Sequence, residues 1–176
     1  MSRILGIATE AALVGGVVLL GSDGASGRGF EVKEVAPGIY YGPAPQCEAD
    51  YEQLQGLGIK TVLELQKSKP RRSAREQSQV TAHGMDYRLV RMGFHPAAEG
   101  TAEMALEILN DESLRPIFMH CVLGRDRAAL VAALYRVRYL GWSYEAAHEV
   151  MQSERFNPFL FGLERYFRRY ATEAPQ

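Results

Sequence analysis

Apolar and polar residues alternate with two periodicities along this chain, one typical of strands and the other of helices. Short runs rich in β-branched and aliphatic residues, or alternating with polar ones, predict strands. The predicted strands cover residues 30–35, 39–41, 59–65, 87–92 and 116–119. Apolar positions three and four residues apart predict helices. The predicted helices cover residues 47–57, 71–83, 101–109 and 128–140, a segment capped by Ser143, and residues 159–170.

The order of these elements predicts a single α/β domain over residues 28–176, with a mostly parallel central sheet flanked by helices. No repeat or linker divides this stretch, and its length is that of one domain. Because right-handed crossovers join parallel strands, the loops that follow the strands share one edge of the sheet. Three loops, residues 42–46, 66–70 and 121–127, are therefore expected to meet there.

Local signals also fix some details of the predicted helices. Thr101 is expected to cap the helix that it begins. The apolar side of that helix is expected to be Met104, Leu106, Ile108 and Leu109. These assignments predict which side chains enter the core.

Residues 1–27 differ from the rest of the chain. An apolar stretch over residues 4–20 is interrupted by Glu10, and its uninterrupted part is too short to span a bilayer. Small residues follow it, as they follow the apolar region of a signal peptide. We predict a signal-like or anchoring leader, which leaves export, membrane association through this segment and a cytoplasmic location open.

The overall charge gives no indication of a nucleic-acid partner. A net charge of -1 with 47% hydrophobic residues is typical of a folded domain and gives no reason to expect nucleic-acid binding. The positive charge is nevertheless clustered in residues 67–75 and 165–169. Arginine binds phosphate in a bidentate manner, although a solvated helix face would have the same composition.

The segment from His120 to Arg127, with the sequence HCVLGRDR, carries the strongest chemical signal. A loop that wraps from a strand into a helix turns successive backbone N–H groups inward and forms an anion cradle. The predicted phosphate-binding residues are Val122, Leu123, Gly124, Arg125, Asp126 and Arg127. The helix dipole and Arg127 favour the ionised thiolate of Cys121, which is placed to attack a bound phosphate monoester. Arg127 is expected to stabilise the transition state.

This segment resembles the His-Cys-x5-Arg signature of the protein-tyrosine and dual-specificity phosphatase superfamily. Residues 39–42, 58–63 and 127–143 are similar to small bacterial and atypical dual-specificity members, so the resemblance covers about residues 30–170. It implies the cysteine-phosphatase fold and hydrolysis of phosphate esters through a phosphocysteine intermediate, with no metal and no cofactor.

One departure from the superfamily's pattern concerns the second chemical step. The residue after the arginine is usually Ser or Thr, whose hydroxyl helps the thiolate to leave. Here it is Ala128. We therefore predict slow hydrolysis of the intermediate, although a small residue at a helix start also packs well.

A second departure concerns the proton donor, because the loop over residues 92–99 lacks the usual Asp. His95, Glu99 and Asp126 are the candidates. Asp126 is preferred, since its neighbourhood resembles that of members that act on phosphoinositides. A carboxylate at a helix N-terminus also stabilises the helix by itself.

The predicted activity is that of a monomeric phosphatase acting on phosphotyrosine or another phosphoprotein. A phosphoinositide or inositol phosphate is the alternative substrate, indicated by residues 67–72 and Arg125. A catalytically silent phosphate-binding module is the alternative outside enzymes, and a rhodanese-like domain is a weaker one. His120 is expected to be buried, and Cys47 to start a helix or to form a reversible disulfide with Cys121.

Overall fold

The computed structural model describes residues 30–67, 69–95 and 100–173, and the predicted leader lies outside them. The strands are β1 (Lys33–Ala36), β2 (Ile39–Pro43), β3 (Thr61–Glu64), β4 (Asp86–Leu89) and β5 (Ile117–Cys121). The helices are α1 (Glu48–Gly56), α2 (Pro70–Ala82), α3 (Thr101–Asn110), α4 (Arg127–Leu140), α5 (Tyr144–Ser153) and α6 (Phe161–Glu173). Each predicted strand and helix is therefore present, with shifted ends.

One five-stranded sheet organises the domain in the order β1-β2-β5-β3-β4. Only the β1–β2 pair is antiparallel among these strands. Helices cover both faces, and every residue of the central strand β5 is buried, as expected for a parallel strand between two layers. The predicted α/β architecture is confirmed, and the carboxyl ends of β2, β3 and β5 lie at one edge.

Side chains alternate along β5 between two hydrophobic clusters. Met119 belongs to the larger cluster, which α3, α4, α5 and α6 complete. Phe118 belongs to the smaller cluster, which α1 and α2 complete. Neighbouring residues of β5 therefore face different layers, which separates the surroundings of His120 from those of Cys121.

The structure corrects two details of α3. Met104 is 51% exposed, whereas Ala102, Ala105, Leu106 and Leu109 are buried. These buried positions form the i, i+3, i+4, i+7 stripe of a helix, and Met104 lies outside it. The residue before α3, which takes the N-cap position, is Gly100, so Thr101 is the first helical residue. The Ser143 cap is confirmed, since its Oγ accepts a hydrogen bond from the Ala146 N–H at 3.2 Å.

No helix in the described part of the chain is long and apolar enough to cross a bilayer.

Candidate active site

The three predicted loops meet at the carboxyl edge of the sheet. Pro43 is the register partner of Cys121, and the Ala44 N–H donates to the Val122 carbonyl at 3.4 Å. An open cavity of about 650 Å³ lies beside them. Its lining residues are Gln66, Lys67, Lys69, Arg72, Gly93, Phe94, His95, Val122 and Arg127. The segment after β4 therefore joins the loops of residues 66–70 and 121–127 around one cavity.

Gly124 permits the tight path of the loop between β5 and α4. Its φ is +72°, in the left-handed region that disfavours side chains. A Cβ atom at this position would lie 2.4 Å from the carbonyl carbon of Gly42. The loop can therefore close against β2 only because residue 124 has no side chain.

Cys121 lies at the base of this loop, as the last residue of β5, and is 1% exposed. The N-terminus of α4 begins at the other end of the loop, so its positive dipole end favours an anion here. Cys47 takes the N-cap position of α1 and is exposed, and both thiols are free. The prediction of a helix-start cysteine at position 47 is confirmed.

Arg127 is the first residue of α4, and the segment after β4 holds its guanidinium in place. Its Nη1 donates to the Met92 carbonyl at 3.2 Å. Its Cζ lies 4.9 Å from the ring centroid of Phe94, a cation–π distance. Among the described residues, its buried Nε has no hydrogen-bond partner. A buried guanidinium N–H without a protein acceptor fits an anionic ligand.

His120 is fully buried, as predicted, and faces the layer of α1 and α2. Its Nε2 lies 2.6 Å from Oε1 of Glu76 on α2, and its ring stacks on Phe118 with centroids 5.8 Å apart. Sequence reasoning missed Glu76. The available signal was a carboxylate on the inward stripe of α2, in line with Ser73 and Val80.

The candidate proton donors lie in different surroundings. Oδ1 of Asp126 accepts a hydrogen bond from the Asn157 N–H at 3.0 Å, which ties it to the segment before α6. His95 instead lines the cavity together with Arg127. Its ring packs against the start of α6, where a Cβ on Gly162 would lie 2.5 Å from the His95 Nδ1. Glu99 lies outside the described residues.

The cavity wall is strongly positive. Lys67, Lys69 and Arg72 line it together with Arg127, and no carboxylate lines it among the residues that the structure describes. The helix α2 begins at this wall with Pro70, so its N-terminus adds to the positive potential. Arg125 lies elsewhere, in a neighbouring cavity that Glu31 and Glu154 also line.

Comparison with known proteins gives relatives that are phosphatases. No family model matches the chain. The dual specificity protein phosphatase TpbA of Pseudomonas aeruginosa (strain UCBPP-PA14) is 32% identical over 126 residues, which are 69% of this chain and 53% of the relative. The chain thus spans about half the length of that curated relative.

Two solved structures show the fold. The crystal structure of P. aeruginosa TpbA has a TM-score of 0.67 and 23% identity, covering 78% of this chain and 83% of that chain. The core catalytic domain of the PP-IP phosphatase SIW14 from S. cerevisiae has a TM-score of 0.64 and 18% identity, covering 79% and 84%. Both likenesses extend over most of the described domain.

Proposed function

Because the chain belongs to the protein-tyrosine and dual-specificity phosphatase superfamily, we propose that it hydrolyses phosphate monoesters through a phosphocysteine intermediate on Cys121. The observation that carries this proposal is the buried Nε of Arg127, which has no acceptor among the described residues. Arg127 begins α4, directly after the loop that starts at Cys121. A phosphate would supply that acceptor within reach of the thiolate.

The proposed reaction has two steps. The Cys121 thiolate attacks phosphorus, so that an S–P bond forms while the bond to the leaving oxygen breaks and that oxygen takes up a proton. Water then attacks phosphorus, the S–P bond breaks, and inorganic phosphate and the thiolate are released. Arg127 and the loop N–H groups stabilise the charge on the equatorial oxygens in both steps.

The second step supports a direct test of the intermediate. Ala128 is fully buried directly after Arg127 and offers no hydroxyl to the leaving thiolate. We expect rapid-quench assays on p-nitrophenyl phosphate to show a burst of p-nitrophenol equal to the enzyme concentration. Ala128→Ser should raise the steady-state rate about 100-fold, which is the low end of the range for a positioned proton-transfer group, and diminish the burst. A wild-type chain without a burst would contradict a slow second step.

For the proton donor we propose His95 or Asp126, and the two make different predictions. His95 lines the cavity, whereas Asp126 already accepts a hydrogen bond from Asn157, so the geometry favours His95. We expect His95→Ala to slow phenyl phosphate hydrolysis about 100-fold and p-nitrophenyl phosphate hydrolysis far less, because only the poorer leaving group needs the proton. Asp126→Asn should affect both substrates equally. The reverse pattern would assign the proton to Asp126.

A phosphoprotein, above all one with phosphotyrosine, is the substrate class we propose first. Phe94 is 45% exposed and Val122 42% exposed, and both line the cavity beside Arg127. Aromatic and aliphatic side chains at this place can pack against the ring of a phosphotyrosine.

An inositol phosphate or phosphoinositide is the second candidate, favoured by the positive cavity wall. Such a substrate carries further phosphates, which Lys67, Lys69 and Arg72 would bind while Arg127 holds the reacting one. A phosphotyrosine peptide has no comparable need for three additional cations. The positive charge of the wall therefore supports the inositol phosphate class and gives no support to the phosphotyrosine class.

Removal of one cation from the wall tests the second candidate. We expect Arg72→Ala to raise KM for a soluble inositol polyphosphate about tenfold, the value of one charge-assisted hydrogen bond. KM for p-nitrophenyl phosphate should not change. Arg71→Ala is the matched control, because Arg71 is an exposed neighbour on α2 that does not line the cavity. Equal KM values for both variants would favour the phosphoprotein.

A further inference from the structure

Exposed apolar side chains are concentrated around the site. Eight large hydrophobic side chains are exposed in the described part of the chain, and five of them belong to three segments that meet there. These five are Phe94 after β4, Val122 and Leu123 in the loop after β5, and Phe159 and Phe161 next to the start of α6. Single exposed apolar residues are ordinary, whereas a group of them in one place marks an interaction surface.

Phe159 and Phe161 are the most exposed members of this group. They are 77% and 65% exposed, and their ring centroids are 6.4 Å apart with the planes at 88°, an edge-to-face arrangement. The Phe159 N–H donates to Oδ1 of Asn157 at 3.0 Å, and the Leu160 N–H donates to the Asn157 carbonyl at 3.0 Å. A turn that begins at Asn157 therefore holds the two rings in solvent.

The segment that carries this pair of rings contacts the site at two points. The Asn157 N–H donates to Oδ1 of Asp126, in the phosphate loop, at 3.0 Å. On the other side, a Cβ on Gly162 would lie 2.5 Å from the His95 Nδ1 and would also overlap the Phe94 carbonyl oxygen. The start of α6 thus packs directly on the segment after β4. The pair of rings therefore lies beside the cavity wall that Phe94 and His95 form.

We infer that Phe159 and Phe161 form a docking surface for an apolar side chain next to the phosphotyrosine of a protein substrate. The inference rests on the proposed function and deepens it, since it specifies which phosphoproteins the site would prefer. A phosphotyrosine whose phosphate reaches Cys121 and whose ring packs on Phe94 brings its neighbours in sequence to the same side of the cavity. Consecutive Cα atoms are about 3.8 Å apart, so a flanking side chain can reach the pair of rings.

The composition of the surface favours this occupant over others. The pair is continuous with Phe94 and Val122, which are proposed to pack against the phosphotyrosine ring and line the cavity. An inositol phosphate carries hydroxyls and phosphates, which gain nothing from two phenyl rings. A peptide carries apolar side chains at a fixed spacing from its phosphate. A bilayer surface and a second copy of this chain are the alternative occupants that the experiment separates.

The test compares two phosphotyrosine peptides bound by the full chain carrying Cys121→Ser. The peptides are fluorescently labelled and identical, except that leucine flanks the phosphotyrosine on both sides in one and serine does so in the other. We expect fluorescence anisotropy to show that the leucine peptide binds about tenfold more tightly, the effect of burying part of a leucine side chain. Adding Phe159→Ala and Phe161→Ala together should abolish this preference. Both rings are exposed, so the double variant should fold, which circular dichroism checks.

Leu140→Ala in the same Cys121→Ser chain is the matched control. Leu140 is also an exposed apolar residue, but it ends α4, about 20 Å along the helix from Arg127. This variant should keep the full preference for the leucine peptide. If the double variant does not fold, Phe159→Ala and Phe161→Ala should each lower the preference to about threefold, because each ring supplies about half of the contact.

The inference is overturned if the parent chain binds both peptides equally, or if the double variant keeps the preference of its parent. Phosphatidylglycerol vesicles that bind the parent and not the double variant, with the peptide preference unchanged, would assign the rings to a bilayer surface. A parent dimer that becomes a monomer in the double variant, again with the preference unchanged, would assign them to a second copy of the chain.

The proposed function is tested separately, by turnover of p-nitrophenyl phosphate in the wild-type chain, because that ester has no flanking residues. A chain that hydrolyses the ester and binds both peptides equally retains the proposed function and contradicts the inference. A chain that prefers the leucine peptide without any turnover supports the inference and contradicts the proposed hydrolysis.

Discussion

Cys121→Ser is expected to reduce the turnover of p-nitrophenyl phosphate by at least about 10⁴-fold, as when other covalent enzymes lose their nucleophile. A serine hydroxyl is un-ionised at neutral pH and is a far weaker nucleophile than a thiolate. Arg127 and the loop backbone remain, so binding of the substrate should persist. Phosphate release by the full chain under reductant measures the first effect, and the increase in Tm with added inorganic phosphate measures the second.

Cys47→Ser is the matched control for this experiment. Cys47 is exposed at the start of α1, so its replacement should leave turnover unchanged. Activity that survives in Cys121→Ser would assign the reaction to another nucleophile. A wild-type chain that binds phosphate without turnover would support the catalytically silent module instead, which the lack of an Asp in the loop over residues 92–99 and the presence of Ala128 first suggested.

The fold was predictable because its determinants are local or topological. Periodicity located the strands and helices, and the handedness of crossovers brought three loops to one edge of the sheet. Gly124 and the spacing from Cys121 to Arg127 are properties of a single loop. Their meaning therefore does not depend on contacts with distant segments.

Contacts between distant segments were not predictable in the same way. The pairing of Glu76 with His120 depends on which side of α2 faces the sheet. The contact of Asp126 with Asn157 depends on how the segment before α6 returns to the loop. The exposure of Met104 was not predictable either. Alanines fill the side of α3 that faces the core, so hydrophobicity alone does not show which side of this helix is buried.

These long-range contacts also change the interpretation of the loop itself. Arg127 is held by Met92 and Phe94, which belong to the segment where the superfamily usually places its general acid. A movement of that segment would therefore move the guanidinium as well. Substrate binding and proton donation are expected to be coupled in this chain through residues 92–95.

Arg127→Lys is expected to lower kcat/KM for p-nitrophenyl phosphate by about 10²–10³-fold, the usual effect of losing one transition-state hydrogen-bond donor. Lysine keeps the positive charge but lacks the planar fork that binds two phosphate oxygens at once. Arg127 also donates from Nη1 to the Met92 carbonyl. A lysine amino group cannot keep the geometry of that contact while it binds phosphate. We therefore expect kcat to fall and KM to rise. Steady-state kinetics on the full chain measures both.

Arg136→Lys is the matched control, because Arg136 is a second buried arginine of α4 and packs over Trp142 away from the loop. Its replacement should cost stability of the folded chain and leave kcat/KM within about threefold, since a contact remote from the reacting atoms carries little transition-state energy. A similar loss of kcat/KM in both variants would mean that Arg127 acts through the packing of α4. A loss confined to Arg127→Lys would identify the guanidinium fork as the phosphate clamp.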